Sequence, residues 1–406
     1  MNWEVRRLQD VTTLVNGFPF DSELFSVDPA FPLARIRDIL SDDFETFVPA
    51  DSVPETAIIL DGDVVIGMDG DFNVVRWNRG QAALNQRLCL LRANGESDTR
   101  FIAFAIPDHL KTINDVTYAT TVKHLSSSQV KKIRLPLPPL AEQKQIADFL
   151  DRETKQIDNL IAEQEALVEN LTERRRSVIN TTTWRGLQNV VCESSGVQEA
   201  GESPGHWKRL RNKNVFEERN ELSASGDEEM LTVSHLTGVT PRSERSVNMF
   251  EAESNVGCRI VRRGDLVINT LWGWMGALGV SRYEGIVSPA YGVYKVLDSD
   301  QFDSNYFNYL YRSAPYVCEI TRYSRGVWSS RLRIYPDSFL AMDAVVPPLE
   351  EQREIAAYLD EQTSKIDALI EEAKALVVLL KERRSALISA AVTGKIDVRS
   401  EVLSRG

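Results

Sequence analysis

The sequence predicts an α+β chain in which two mixed α/β domains alternate with two long helices. Three observations predict it. A stretch of 42 residues occurs twice. Each copy carries apolar residues at heptad spacing. Each copy also follows a region of short strand-like runs broken by turn residues.

The duplication comes first because it organises the rest. Residues 138–179 read PPLAEQKQIADFLDRETKQIDNLIAEQEALVENLTERRRSVI, and residues 347–388 read PPLEEQREIAAYLDEQTSKIDALIEEAKALVVLLKERRSALI. The two align without a gap at an offset of 209, and roughly half the positions are identical. The predicted order is a domain over 1–137, a helical region over 138–190, a second domain over 191–346 and a second helical region over 347–406. A polar linker is expected at 188–204, which is rich in Ser, Gly and Glu.

Each copy starts like a helix. Pro138-Pro139 and Pro347-Pro348 suit the segment before a helix or its first turn. Glu142 and Glu351 then stand where the helix dipole favours an anion, and Arg174-Arg175 and Arg383-Arg384 stand where it favours a cation. Leu150, Ile157, Gln164, Leu171 and Val178 fall seven apart, as do Ile146, Glu153, Leu160, Leu167 and Arg174. The second copy repeats both stripes, with Leu359, Ile366, Ala373, Leu380 and Leu387, and Ile355, Gln362, Leu369, Leu376 and Arg383. This is a coiled-coil pattern, and the simplest partner for each helix is the other copy. Pairing is expected through Leu150, Ile157, Leu160, Leu167 and Leu171 against Leu359, Ile366, Leu369, Leu376 and Leu380. Ile161, Val168, Ile370 and Val377 widen the apolar face and offer a further surface to a partner.

The two domains share a frame and little else. Each opens on a tryptophan and a basic/apolar run, WEVRRL at Trp3 and WKRL at Trp207. Gly62-Asp63-Val64-Val65-Ile66 and Gly264-Asp265-Leu266-Val267-Ile268 read as the same turn and strand. Each ends on a strand-like run just before its prolines, IRLPL and AMDAVV. Matching helices with divergent domains suggest one scaffold presenting two specificities.

Bulk properties narrow the class. With 43% hydrophobic and 26% charged residues, the chain can bury cores. Cys89, Cys192, Cys258 and Cys318 form no CxxC pair and read as free thiols. There is no apolar signal core and no run of about 20 apolar residues, so a cytoplasmic protein is expected. No catalytic residues and no metal site are expected. There is no GxxxxGK[ST] loop, no HExxH, no clustered Cys/His set, and no Asn/Asp-Pro-Pro-aromatic tetrapeptide. The loop GMDGDFN, with Asp69 and Asp71, lacks the rest of a calcium loop.

The net charge of −12 works against nucleic acid, so a DNA reading needs local basic surfaces or help from a partner. Such surfaces are present as sequence. Residues 320–335, ITRYSRGVWSSRLRIY, hold Arg322, Arg325, Arg331 and Arg333 among aromatics, with no acid. Residues 72–87 hold Arg76, Arg79 and Arg87 with Asn73, Asn78, Asn85 and Gln86, again with no acid. Lys123-His124 and Lys131-Lys132 form a third stretch. Arginine can clamp phosphate or guanine, and Asn or Gln can read adenine. The candidate DNA-binding residues are Asn73, Arg76, Asn78, Arg79, Lys123 and His124, with Arg322, Arg325, Ser329, Ser330 and Arg331 in the second domain. Ordinary surface packing is the alternative for each arginine. Trp77 is a candidate core anchor. Core or inter-domain packing is preferred over base contact for Trp272 and Trp274.

At the doubled PPLxEQxxIAxxLD…IDxLI…ERR motif the chain resembles the specificity subunits of type I restriction-modification systems, and the domain–helix–domain–helix order extends the resemblance over nearly all 406 residues. The resemblance implies that each domain is a target recognition domain reading one half of a split DNA site. It implies helices paired as an antiparallel coiled coil, a pseudo-two-fold chain, and a helix length that sets the half-site spacing. It implies two modification subunits that bring S-adenosylmethionine and, where present, two restriction (translocase/nuclease) subunits that bring ATP and Mg. No cofactor is expected in this chain. A coiled-coil adaptor without DNA specificity, or a fused methyltransferase or nuclease with unrecognised motifs, are the alternatives.

Overall fold

A computed structural model describes residues 3–28, 30–116, 123–244, 254–327 and 332–398. The chain forms two compact units, and each takes part of both long helices. The first comprises residues 1–165 with 375–406, and the second residues 166–374.

In the first unit, β1 (Glu4–Arg7) pairs antiparallel with β6 (Arg134–Leu137), which closes the domain at the foot of the long helix. Between them lie β2 (Thr12–Asn16), β3 (Val64–Gly67), β4 (Val74–Arg76) and β5 (Leu88–Ala93). They form an antiparallel sheet in the order β2-β5-β3-β4. Val65 sits opposite both Val75 and Leu90. Helices α1 (Thr99–Ala105), α2 (Pro107–Val116) and α3 (Ser127–Lys132) follow. One sheet face packs on α1, with Val64, Ile66, Phe101 and Ile102 buried together. The other buries Val65, Leu90 and Trp77 against a second small sheet. Strands buried on both faces explain why these runs are continuously apolar rather than alternating.

The second unit repeats the plan. Strand β7 (Lys208–Arg211) pairs with β12 (Asp343–Val346). The sheet has β8 (Phe216–Glu218), β9 (Leu266–Ile268), β10 (Leu278–Val280) and β11 (Gly292–Val296) in the order β8-β11-β9-β10. Helices α4 (Ser304–Arg312), α5 (Ala314–Tyr323) and α6 (Pro336–Ala341) complete it. Its core is aromatic, with Phe216, Tyr306, Phe307, Tyr311, Tyr316 and Phe339 buried together. The shared turn before β3 and β9 is held alike: Leu60 N–H donates to Asp63 Oδ2 and Arg262 N–H to Asp265 Oδ2, both at 2.8 Å. Residues 188–204, expected as a linker, instead include a hairpin of Cys192–Ser194 with Glu202–Pro204, and Val197 is buried. Polar composition concealed it, because two three-residue strands leave no apolar period to read.

The long helices run from Leu140 to Arg185 and from Leu349 to Val392. In each unit they pair antiparallel, the beginning of one against the end of the other. The seam corrects part of the expected register. Leu150, Ile157, Leu171, Leu359, Ile366 and Leu380 are buried as expected. Leu160, Leu167, Leu369 and Leu376 are not, being 45%, 42%, 50% and 41% exposed. Their places are taken by Ile161 and Val168 and by Ile370 and Val377, one residue further along. Two steps, +3 and +4, connect heptad positions, and the second stripe is the +4 one. Thr154 and Thr363, one heptad before Ile161 and Ile370, can be buried because each hydroxyl donates to a carbonyl four residues back, Leu150 at 2.6 Å and Leu359 at 2.7 Å. Arg384 Nε donates to Asp158 Oδ1 and Arg175 Nε to Asp367 Oδ1, each at 2.7 Å. These are the same two repeat positions with the copies exchanged.

Both helix ends stop at a glycine in the left-handed region, Gly186 at φ 71° and Gly394 at φ 70°. A tryptophan closes over each. Trp207 lies within 3.2 Å of where a Cβ on Gly186 would sit, and Trp3 within 3.1 Å at Gly394. The opening tryptophans of the two domains are therefore helix-end caps.

Candidate nucleic-acid interface

In the first unit, the loop 68–73 between β3 and β4 gathers part of the expected site. Asp69 Oδ1 lies 2.7 Å from His124 Nδ1, and Asp69 Oδ2 accepts from Arg87 Nη1 at 2.5 Å. Burial alone would raise the Asp69 carboxyl, but His124 and Arg87 outweigh it and hold it below its usual range. Lys123 Nζ donates to the Asn114 carbonyl at 2.7 Å and to its side chain at 2.8 Å, capping the end of α2. Asn73 is half-buried, and its carbonyl accepts the Gly67 N–H at 2.8 Å. Lys123 and His124 thus stand together beside this loop.

Arg76 is the last residue of β4, and Asn78 and Arg79 follow it. Arg76 Nη1 is 3.3 Å from Asp151 Oδ2 on the long helix, and Asn78 is exposed. Arg79 is a correction. Its guanidinium stacks on Trp77, 4.0 Å from the ring centroid. It donates to the carbonyls of Asp38 at 3.0 Å and of Ile39 at 3.3 Å, and also to that of Ser41. With three of its five N–H donors on carbonyls and its face on Trp77, Arg79 locks the 38–41 turn to Trp77 and has little left to offer a phosphate. Trp77 is the core anchor expected, fully buried, with its Nε1 donating to Gly80 O.

In the second unit, Arg322 Nη2 bonds Glu319 Oε2 at 2.6 Å, and Arg325 Nη2 bonds Asp337 Oδ2 at 2.9 Å. Ser329, Ser330 and Arg331 lie outside the described residues. Stretches that carry no acid in sequence are therefore matched by acids from elsewhere, Asp69, Asp151, Glu319 and Asp337. The Arg76 and Arg325 pairs are exposed on both sides. Such pairs are worth about 0–1 kcal/mol, so these arginines can be redirected to phosphate at little cost.

In the loop 269–277 between β9 and β10, Trp272 is exposed rather than packed in a core as expected. Trp272 and Trp274 stack with centroids 6.3 Å apart and planes at 20°, and Trp272 is 51% exposed. Its neighbours Leu271 and Met275 are also exposed. Trp274 Nε1 donates to Leu271 O at 3.0 Å, and Thr321 Oγ1 on α5 donates to Trp274 O at 3.2 Å. The loop is thus held beside the end of α5, and Ile334 N–H also donates to Thr270 O. A cavity of 570 Å³ opens next to it, lined by Trp272, Met275, Asn269, Tyr291 and Arg242 among others. An exposed Trp272, backed by Trp274, over a polar-edged cavity suits stacking on a flat ligand such as a base. The signal available in the sequence was the glycine between the tryptophans, which marks a turn rather than a core strand.

Comparison with known proteins points the same way. Residues 1–170 match the family described as type I restriction modification DNA specificity domain. The chain is 26% identical over 418 residues to the type I restriction enzyme EcoBI specificity subunit of Escherichia coli, across 98% of this chain and 87% of that protein. It is 24% identical over 422 residues to the putative type I restriction enzyme MjaX specificity subunit of Methanocaldococcus jannaschii, across 98% and 95%. Its fold is similar to a chain in a structure titled for complex assembly and conformational transition of the type I R-M system, with TM-score 0.71, 16% identity and coverage of 97% and 98%. It is also similar to the HsdS subunit from Thermoanaerobacter tengcongensis, with TM-score 0.54, 16% identity and coverage of 97% of each chain.

Proposed function

We infer that this chain, which belongs to the type I restriction-modification specificity subunits, is the part of such a complex that selects the DNA sequence. The observation that carries the reading is the repeated frame with unlike loops. Both units have the same sheet order, the same closing strand pair and the same helix-end caps. Yet the loop 68–73 is acidic and ion-paired, while 269–277 is aromatic and exposed. A protein that reads two different half-sites needs that combination.

In this reading each unit takes one half of a bipartite site. Direct contacts come from the loops after β3 and β9 together with Arg76, Lys123, His124, Arg322 and Arg325. The long helices set the spacing of the half-sites. The first has 46 residues, about 70 Å at 1.5 Å each. Two modification subunits carry S-adenosylmethionine and the methyl transfer. Restriction subunits, where present, carry ATP and Mg, and this chain contributes no catalytic group. The net charge of −12 makes the partners the main source of affinity for phosphate. Among the described residues no helix is long and apolar enough to cross a membrane, which is compatible with work on DNA in the cytoplasm.

Site selection on random duplexes with the modification subunits tests this. A split motif with two defined halves is expected. Exchanging residues 1–137 for those of another family member should change one half only, and a change in both halves, or no enriched motif, would refute it.

A further inference from the structure

The geometry points to a phosphate-oxyanion site in the second unit, between the end of the first long helix and α4, built by Arg175, Arg176 and Arg312. A cavity of 490 Å³ opens there, lined also by Thr172, His235 and Asn308 and, among the described residues, by no Asp or Glu. Arg175 is engaged by Asp367 through two bonds, at 2.7 and 3.1 Å. Arg312 donates only to backbone carbonyls, His235 at 3.3 Å and Leu236 at 2.8 Å. Neither Arg312 nor Arg176 is in an ion pair with a described residue. The other nearby carboxylate, Asp360, is held by Tyr309 at 2.6 Å and faces Arg282 at 3.6 Å.

The first unit supplies an internal comparison. A cavity of 510 Å³ lies at the end of the second long helix, where Arg384 occupies the repeat position of Arg175. It too is rich in cations, with Arg76, Arg100, Lys381 and Arg384. There every cation has a carboxylate. Arg76 has Asp151 at 3.3 Å, Arg100 has Asp98 at 2.9 Å as well as Asp148, Lys381 has Glu165 at 3.0 Å, and Arg384 has Asp158 at 2.7 Å. The same architectural position is self-neutralised in one unit and left with two unmatched guanidiniums in the other.

The half-enclosed Arg312 charge is unfavourable unless an anion joins it, and Arg176 stands exposed at the rim of the same cavity. Burial and the neighbouring Arg175 hold the Arg312 guanidinium below its ordinary value, which is the signature of a cation lacking its partner. Planar guanidiniums lining one cavity match the several oxygens of a phosphoryl group better than the two of one carboxylate. The phosphoryl group can come from a free phosphate compound or from a DNA backbone, and only the second source rests on the DNA-reading function above.

The test uses the full chain, with pyrophosphate titrated by calorimetry at low ionic strength. The exposed variant Arg176→Gln, and Arg312→Gln, should each weaken pyrophosphate binding by about tenfold or more. Arg353→Gln, an equal charge loss elsewhere, should not. Arg312→Lys, with folding checked by circular dichroism, separates loss of charge from loss of fold and should restore part of the binding. In a second arm, duplex binding with the modification subunits is followed against salt. If Arg176→Gln also lowers the salt slope by about one, the phosphate is the DNA backbone's. If pyrophosphate binding falls while duplex binding is unchanged, the site serves a free phosphate compound. Failure of sequence-specific duplex binding with an intact pyrophosphate response would overturn the DNA-reading function and leave this site standing. Absence of pyrophosphate binding by the unmodified chain, or equal binding by all variants, overturns the site.

Discussion

Gln352 Oε1 accepts the backbone N–H of Asp303 at 2.8 Å, and Gln352 Nε2 donates to the carbonyls of Pro347 at 2.9 Å and Gln301 at 3.1 Å. Gln143 does the same in the first unit, with Asp98 N–H at 2.9 Å and the carbonyls of Pro138 at 2.8 Å and Glu96 at 3.4 Å. Asp98 and Asp303 are the N-caps of α1 and α4. One buried amide per unit therefore ties the start of a long helix to the start of a domain helix. This accounts for the Gln of the repeated PPLxEQ motif. Gln143→Leu and Gln352→Leu should each cost about 1–3 kcal/mol, because backbone groups lose partners where water does not reach. Urea denaturation of the full chain measures it, and a loss below about 0.5 kcal/mol in both would show that the clamp is not structural.

The seam register predicts opposite outcomes for adjacent residues. Ile161→Ala and Ile370→Ala remove side chains that are 9% and 8% exposed and should cost about 2–4 kcal/mol. Leu160→Ala and Leu369→Ala should cost less than about 1 kcal/mol in the isolated chain. Equal losses within each pair would restore the register expected from the sequence.

Asp98 gives a pH prediction. Burial alone would raise its carboxyl, but the hydrogen bonds and charge of Arg100 outweigh that and hold it below the usual range. An acid with a depressed value in the folded state stabilises fully above its unfolded value, about 3.9, and the contribution disappears as pH falls through the folded value. The denaturation midpoint of the native chain should exceed that of Asp98→Asn at pH 6, with the gap closing below about pH 4. A gap that stays constant down to pH 3 would contradict the assignment.

The thiols should differ in reactivity. Burial pushes Cys89 up to about 12, whereas Cys318 is exposed. Iodoacetamide at pH 8 should modify Cys318 well before Cys89, as peptide mass mapping can follow. Modification of Cys89 first would mean that the first unit opens readily.

Shortening both long helices by one heptad removes about 10 Å from each. If helix length sets the half-site spacing, the selected spacer should shorten, or specific binding should be lost. An unchanged spacer would remove the ruler from the proposed function.

Much of this architecture was legible because it rests on periodicity and duplication. The repeat at offset 209 located both long helices, and the matched Gly-Asp turns located the central strands β3 and β9. Trp3 and Trp207 were visible as markers, though not as the caps of Gly394 and Gly186 that they form. Charge was the least legible property. Arg76 and Arg325 stand in acid-free sequence, yet Asp151 and Asp337 reach them through the fold.

The sequence by itself determined the order of elements and the family resemblance, because local spacing and self-similarity need no partner to be read. Tertiary structure decided which heptad row is buried, since Leu160 and Ile161 are equally apolar and only the facing helix distinguishes them. It also decided which arginines retain unmatched charge. Arg175 and Arg384 share a motif, but the arginine and lysine neighbours of Arg384 in its cavity all have carboxylates and those of Arg175 do not. Counterions are set by distance in space, and that distance is fixed only when the domains close on their helices.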